Sequence, residues 1–241
     1  MTMANLDLFL VIMLAYFGFV GPLLARREMA TLRRNIATAA PAARLGLYNR
    51  TMIFEWALTA VFLGGWLILG RSPADLGLRL GMAGWQWIAL AVCVVATLQF
   101  VLSSHRASRD PEELGGVRAQ LGSLAPMMPH SAAELRRFTW LSITAGICEE
   151  ILYRGLLMTA LAAVTGLWPA VVLSSVVFGI GHAYQGPGGI LRTGLVGLVM
   201  ALVVVFTGSL LTAMVMHAVL DIVQGRLIRA AVNRPLVESP A

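Results

Sequence analysis

Along this chain, long apolar runs alternate with short polar segments, and seven runs stand out: residues 6–25, 51–70, 85–102, 138–160, 167–184, 190–206 and 209–228. Each is close to the ~20 residues an α-helix needs to cross a hydrocarbon layer about 30 Å thick. Lipid offers no hydrogen bonds to bare backbone, so each run is expected to be helical. Gly21 and Pro22 are expected to kink the first. The predicted fold class is all-α, a polytopic transmembrane helix bundle of about seven spans, with an eighth left open. The stretch 103–137 is polar and holds Pro111, Pro126 and Pro129. It divides an N-terminal region of three plain spans and their loop, 1–130, from four spans over 131–230 that carry ionisable residues. A tail follows over 231–241.

Composition supports the membrane reading: 58% of residues are hydrophobic, 12% are charged, and the mean hydropathy is +0.79, outside soluble globular usage. A net charge of +6 raises the question of nucleic acid, but the basic residues flank apolar runs and form no stripe with interleaved aromatics. No nucleic-acid partner is expected; the partners implied are the lipid bilayer and something within it. All eighteen basic residues are Arg, which with abundant Ala and Gly suggests a GC-rich genome and a bacterial plasma membrane. Fifteen of them fall in 26–50, 103–137, at Arg192 and after Gln224, against only Arg71 and Arg79 on the other side. By the positive-inside rule the N-terminus is expected outside and the C-terminus in the cytoplasm. The first run has no basic region before it and no small-residue cleavage site after it, so it reads as a permanent span. Trp85, Trp87, Trp140 and Trp168 fall at span ends, where indole rings anchor at headgroup level. Cys93 and Cys148 lie inside apolar runs and are expected to be buried free thiols.

An ionisable group inside a span is costly and asks for a partner or a function. The fourth span holds Glu149, Glu150 and Arg154 in an EExxxR pattern. Glu150 and Arg154, four apart, share a helix face and are expected to pair. Glu149 points about 100° away with no local partner, as suits a general base. The fifth span ends in Phe178-Gly179-Ile180-Gly181-His182, and the seventh places His217 and Asp221 four apart on one face. Counting 1.5 Å per residue from the span ends puts Glu149 and His217 roughly 17 to 18 Å, Asp221 roughly 12 Å and His182 roughly 8 Å above the inner face. All fall at or below the midplane, able to line one site opening to the cytoplasm. Glu55, five residues into the second span, is expected to snorkel to the inner interface or pair with Arg50. His105 and His130 read as solvated surface histidines, and Cys148 lacks a separately placed base of its own.

EExxxR, FxxxH and HxxxD on successive spans resemble the three motifs of the CAAX prenyl endopeptidase and bacteriocin-processing (CPBP, or Abi) family. The resemblance covers about residues 131 to 228, including Thr207-Gly208-Ser209-Leu210; the first three spans match nothing specific. It implies an intramembrane endopeptidase in which Glu149 and His182 activate water, acting on a membrane-associated peptide or protein. The catalytic candidates are Glu149, Glu150, Arg154, His182, His217 and Asp221. The family is usually classed with metallopeptidases, and His182, His217 and Asp221 with one open position would suit a catalytic zinc ion, Zn2+. A metal-free glutamate mechanism stays open beside it. The third motif ends here in Asp221 where the family also uses Asn; an amide donates to an oxyanion and an ionised carboxylate does not. Two other functions compete. A nonenzymatic membrane scaffold or immunity protein could discard Glu149 and keep the Glu150–Arg154 pair. A proton-coupled transporter would show an inverted repeat, and none is visible.

Overall fold

A computed structural model of the protein describes residues 3–78 and 84–234. Helices α1 (Met3–Ala15), α2 (Gly21–Ile68), α3 (Gln86–Ala107), α4 (Pro111–Gln120), α5 (Ala132–Glu149), α6 (Met158–Thr165), α7 (Leu167–Gly181), α8 (Pro187–Thr207) and α9 (Leu210–Asn233) form a bundle without strands among the described residues. The stretches 6–68, 86–107, 187–207 and 210–233 are long and apolar enough to cross a membrane, and α7 is a shorter apolar helix. Apolar side chains such as Ile53, Val61, Ile68, Val92, Val95 and Val215 lie on the outside, the arrangement expected where the surrounding solvent is lipid. The four tryptophans at span ends are exposed as well. Arg79 and the tail beyond residue 234 fall outside the described residues.

The polar stretch 26–50, expected to be a loop, is helix. A π-helical turn at Tyr16–Val20 joins α1 to α2, and α2 continues to Ala39, whose φ of −150° and ψ of 54° break the helix two residues before Pro41. Where a kink was expected at Gly21 and Pro22, the first span carries this π turn just ahead of Gly21, with helical backbone on either side of it. At Ala39 the chain folds back on itself: Glu28 pairs with Arg50, Leu32 clusters with Leu47, and Phe17 and Phe9 stack on Phe62 and Trp66. The polar residues that suggested a loop are the outward face of two helix ends. Their inward face is Met29 and Leu32, three apart and buried.

The returning arm of α2 runs parallel to α5 with an offset of 90 residues: Arg44 pairs with Glu134, and the rings of Tyr48 and Phe138 meet edge to face. Ser131 starts α5 with a reciprocal cap in which its side chain accepts from Glu134 N–H and the Glu134 carboxylate accepts from Ser131 N–H. On its other side α5 packs antiparallel to α9. A Cβ on Gly146 would come within 2.9 Å of Ala218 Cβ and of the Met214 carbonyl, so only glycine lets α9 lie this close. Gly179 does the same for α7 against α8, where a Cβ would sit 2.6 Å from the Ile190 carbonyl. The first crossing brings α9, with His217 and Asp221, against the middle of α5, and the second holds α7, which ends beside His182, against α8.

Candidate functional site

The helix that begins as α5 does not stay α-helical through its charged residues. Glu150–Leu157 is a π-helical segment, continued by α6, a distortion that often marks functional sites because it re-aims the side chains of one turn. Glu150 and Arg154 are almost wholly buried and pair at 2.8 Å. Arg154 does not end its reach there. Its Nη2 donates to the Gly197 carbonyl on α8 at 3.0 Å, and its guanidinium lies 4.3 Å from the centroid of the Phe178 ring on α7. One side chain thereby ties three helices together.

His217 comes in from α9. Its Nδ1 lies 2.8 Å from Glu150 Oε1, the same oxygen that receives Arg154. A carboxylate only accepts, so Nδ1 carries the proton and Nε2 is the atom turned to the remaining groups. Those groups are Glu149, with Oε2 at 3.9 Å, and Asp221, with Oδ2 at 3.7 Å. His182 caps the end of α7 with Nδ1 donating to the Phe178 carbonyl at 2.9 Å, which leaves its own Nε2 as the outward nitrogen. Phe178 packs against both imidazoles, with ring centroids 4.7 Å from His182 and 6.4 Å from His217. His182 is close enough to act electrostatically on Asp221. Exposure rises through the cluster, with side chains 0% accessible at Glu150, 9% at His217, 18% at Glu149 and 38% at Asp221. The pair that orients is dry, and the more accessible groups are Glu149 and Asp221.

The structure therefore gathers Glu149, Glu150, Arg154, His182, His217 and Asp221 into one cluster. Phe178 was named only as part of the FxxxH motif, not as a ring that packs against both histidines, and two contributors were not singled out at all: the Gly197 carbonyl as second acceptor for Arg154 and Gly146 as the residue that admits α9. Only Phe178 left a sequence signal, four residues before His182 on the same helix face. Glu55 also differs from expectation. Arg50 is engaged by Glu28, and the Glu55 carboxyl instead lies within electrostatic reach of Glu149 and Asp221, its Oε2 buried with no hydrogen-bond partner. His130 is half-buried, so it is only partly solvated. Its N–H donates to Glu134 and its carbonyl accepts from Asn233; burial first, then the Arg44 guanidinium, hold its imidazole below the ordinary value. His105 is exposed, and Cys93 and Cys148 are free thiols, the first half-buried and the second buried.

The zinc expectation can be set against this arrangement. The two imidazoles have the tautomers that metal ligands usually have, with Nδ1 donating to an oxygen and Nε2 free. Among the described residues, however, no three His, Cys, Asp or Glu side chains are grouped so as to hold a metal ion. His182, His217 and Asp221 do not close a ligand set as they stand, and the chemistry below is derived from the protein's own groups.

Residues 131–223 match the family described as type II CAAX prenyl endopeptidase Rce1-like. The matched segment spans the start of α5 to just past Asp221 and so contains every member of the cluster except Glu55. No curated protein and no solved structure matches the chain.

Proposed function

Proceeding from a chain whose residues 131–223 make up a CAAX prenyl endopeptidase-like segment, we propose that it is an intramembrane endopeptidase that hydrolyses a peptide bond of a membrane-associated protein or peptide. The observation that carries this reading is the division of labour between two adjacent carboxylates. Glu150 Oε1 is spent on Arg154 and His217, while Glu149, more accessible than either Glu150 or His217, accepts no side-chain hydrogen bond among the described residues. A scaffold needs the first arrangement and has no use for the second.

In the reaction, the Glu149 carboxylate takes a proton from a water molecule as the water oxygen bonds to the scissile carbonyl carbon. The negative charge that develops on the carbonyl oxygen needs donors fixed in advance. His182 and His217 would donate there through Nε2 as imidazolium ions, and Asp221 as the neutral acid. The proton held by Glu149 then passes to the leaving nitrogen as the carbon–nitrogen bond breaks, which restores the carboxylate and releases a new carboxyl and a new amine. Glu150 and Arg154 do not touch the reacting atoms; they hold His217 in one tautomer and one orientation.

The test is cleavage of quenched-fluorescent apolar peptides, prenylated and unprenylated, by the protein in liposomes. Glu149→Ala is expected to lower the rate by at least about a hundredfold, the usual contribution of a general base. If it cleaves as well as the wild type, the base is misassigned. If the wild type cleaves none of the peptides, the scaffold reading replaces this one.

A further inference from the structure

Glu55 belongs to none of the three charged helices of the matched segment; it sits on the returning arm of α2. Its height in the bundle follows from the parallel register of α2 and α5. The pairs Arg44–Glu134 and Tyr48–Phe138 both carry the 90-residue offset, so Glu55 is level with Ala145, one turn before Glu149. Thr59, one turn on from Glu55 and on the same face, meets Cys148 beside Glu149. Asp221 lies on the same side of Glu149 as Glu55 does. On antiparallel α9, Ala218 faces Gly146 and Gly225 faces Phe138, which brackets Asp221 between those two levels. By this register Glu55 stands about 6 Å, one helical turn, and Asp221 about 9 Å nearer than Glu149 to the end of the bundle where α5 begins.

A buried carboxyl oxygen without a donor costs free energy unless something supplies one. Among the described residues no donor reaches it, the Thr59 hydroxyl one turn on included. The near neighbours Glu149 and Asp221 carry carboxylates, and Arg154 and His217 Nδ1 are committed to Glu150. An extended peptide threaded past Glu149 would supply donors, since its backbone N–H groups recur along the chain at about 3.3 Å per residue. A separation of about 6 Å then corresponds to about two residues of extended chain.

We infer that Glu55 is a substrate-positioning residue whose carboxyl accepts a backbone N–H of the peptide about two residues from the scissile bond. This rests on the endopeptidase reading. It extends the site beyond the matched segment and gives the N-terminal hairpin a part in substrate recognition. It also sets a conformational requirement: the substrate must be extended, not helical, over those residues, because a helix keeps its N–H groups to itself.

The experiment measures kcat and KM in liposomes for wild type, Glu55→Ala and Glu55→Gln. The substrates are a quenched-fluorescent apolar peptide whose cleaved bond is fixed by mass spectrometry, and analogues N-methylated two residues to either side of that bond. Loss of one hydrogen bond to the peptide predicts about a tenfold fall in kcat/KM for Glu55→Ala, mostly in KM. Glu55→Gln, which keeps an acceptor oxygen, should stay within about threefold of wild type. N-methylation at one of the two positions should cost the wild type a similar factor and cost Glu55→Ala nothing further. The inference is overturned if Glu55→Ala keeps wild-type kinetics, or if the side-chain and N-methyl effects multiply independently. It is also overturned if both variants fall together with a lowered thermal midpoint, which would mark Glu55 as structural. A wild type that cleaves no peptide would instead sink the endopeptidase reading itself, and this inference with it.

Discussion

Glu150 Oε1 receives Arg154 from its own helix and His217 from α9, and this shared acceptor decides which nitrogen of His217 faces the reacting groups. Nε2 is then held 3.7 Å from Asp221, so the chemistry of Asp221 depends on whether that site ends in a charge or a donor. If zinc is bound with Asp221 among its ligands, Asp221→Asn weakens the ligand charge and should lower both bound zinc and cleavage. If the site works without metal, an amide can donate to the oxyanion, and Asp221→Asn should keep or raise the cleavage rate. Zinc content and peptide cleavage of purified wild type and Asp221→Asn give opposite signs for the two mechanisms. The residue types and the i, i+4 spacings behind this argument were readable in the sequence. The sharing of one oxygen by two helices was not, because it depends on where α9 lies against α5.

At the scale of the helix, the Arg44–Glu134 pair joins the N-terminal hairpin to the start of α5, with both side chains buried. Burial is the strongest single influence on the Glu134 carboxyl and works against its charge. The Ser131 and His130 N–H groups and Arg44 together outweigh it and hold the carboxyl below its ordinary value of 4.5. A group depressed in the folded state stabilises the fold above its unfolded value and loses that contribution as pH falls through the folded one. Acidification from pH 5 downward should therefore lower the thermal midpoint of the wild type, and Glu134→Gln should flatten that dependence while starting from a lower midpoint at pH 7. A wild-type midpoint that is level from pH 5 to 3 would show that the pair does not hold the hairpin. Removal of Arg44 alone leaves the buried carboxylate without its counter-charge and should cost on the order of 3 kcal/mol. Neither partner could be paired from sequence, since the offset of 90 residues is set by helix packing. The capping of α5 by Ser131 and Glu134, three apart, is by contrast a local signal.

For the whole molecule, the hairpin turning at Ala39 keeps the first two spans antiparallel even though the chain between them is helical. The Arg-rich residues on both arms then lie at one end of the bundle, with the start of α5 and the end of α9. Reporter fusions after Arg34 and after Arg229 are expected to read cytoplasmic, as the Arg asymmetry requires. An external signal at either position would mean an odd number of crossings between them has been miscounted.

The sequence by itself determined the all-helical membrane class, the positions of the apolar runs, and the residue types of the site. Each of these is written in local composition and in spacings of three or four residues, which a helix turns into a shared face whatever surrounds it. Only the tertiary structure decided the rest: that 26–50 is helix, that Glu150 is shared by Arg154 and His217, that Phe178 packs against both imidazoles, and that Glu55 lies within electrostatic reach of Glu149. These depend on contacts between residues tens of positions apart, brought together where Gly146 and Gly179 let helices approach to backbone contact. A periodic pattern shows which face of a helix is apolar, but not which neighbour that face will meet.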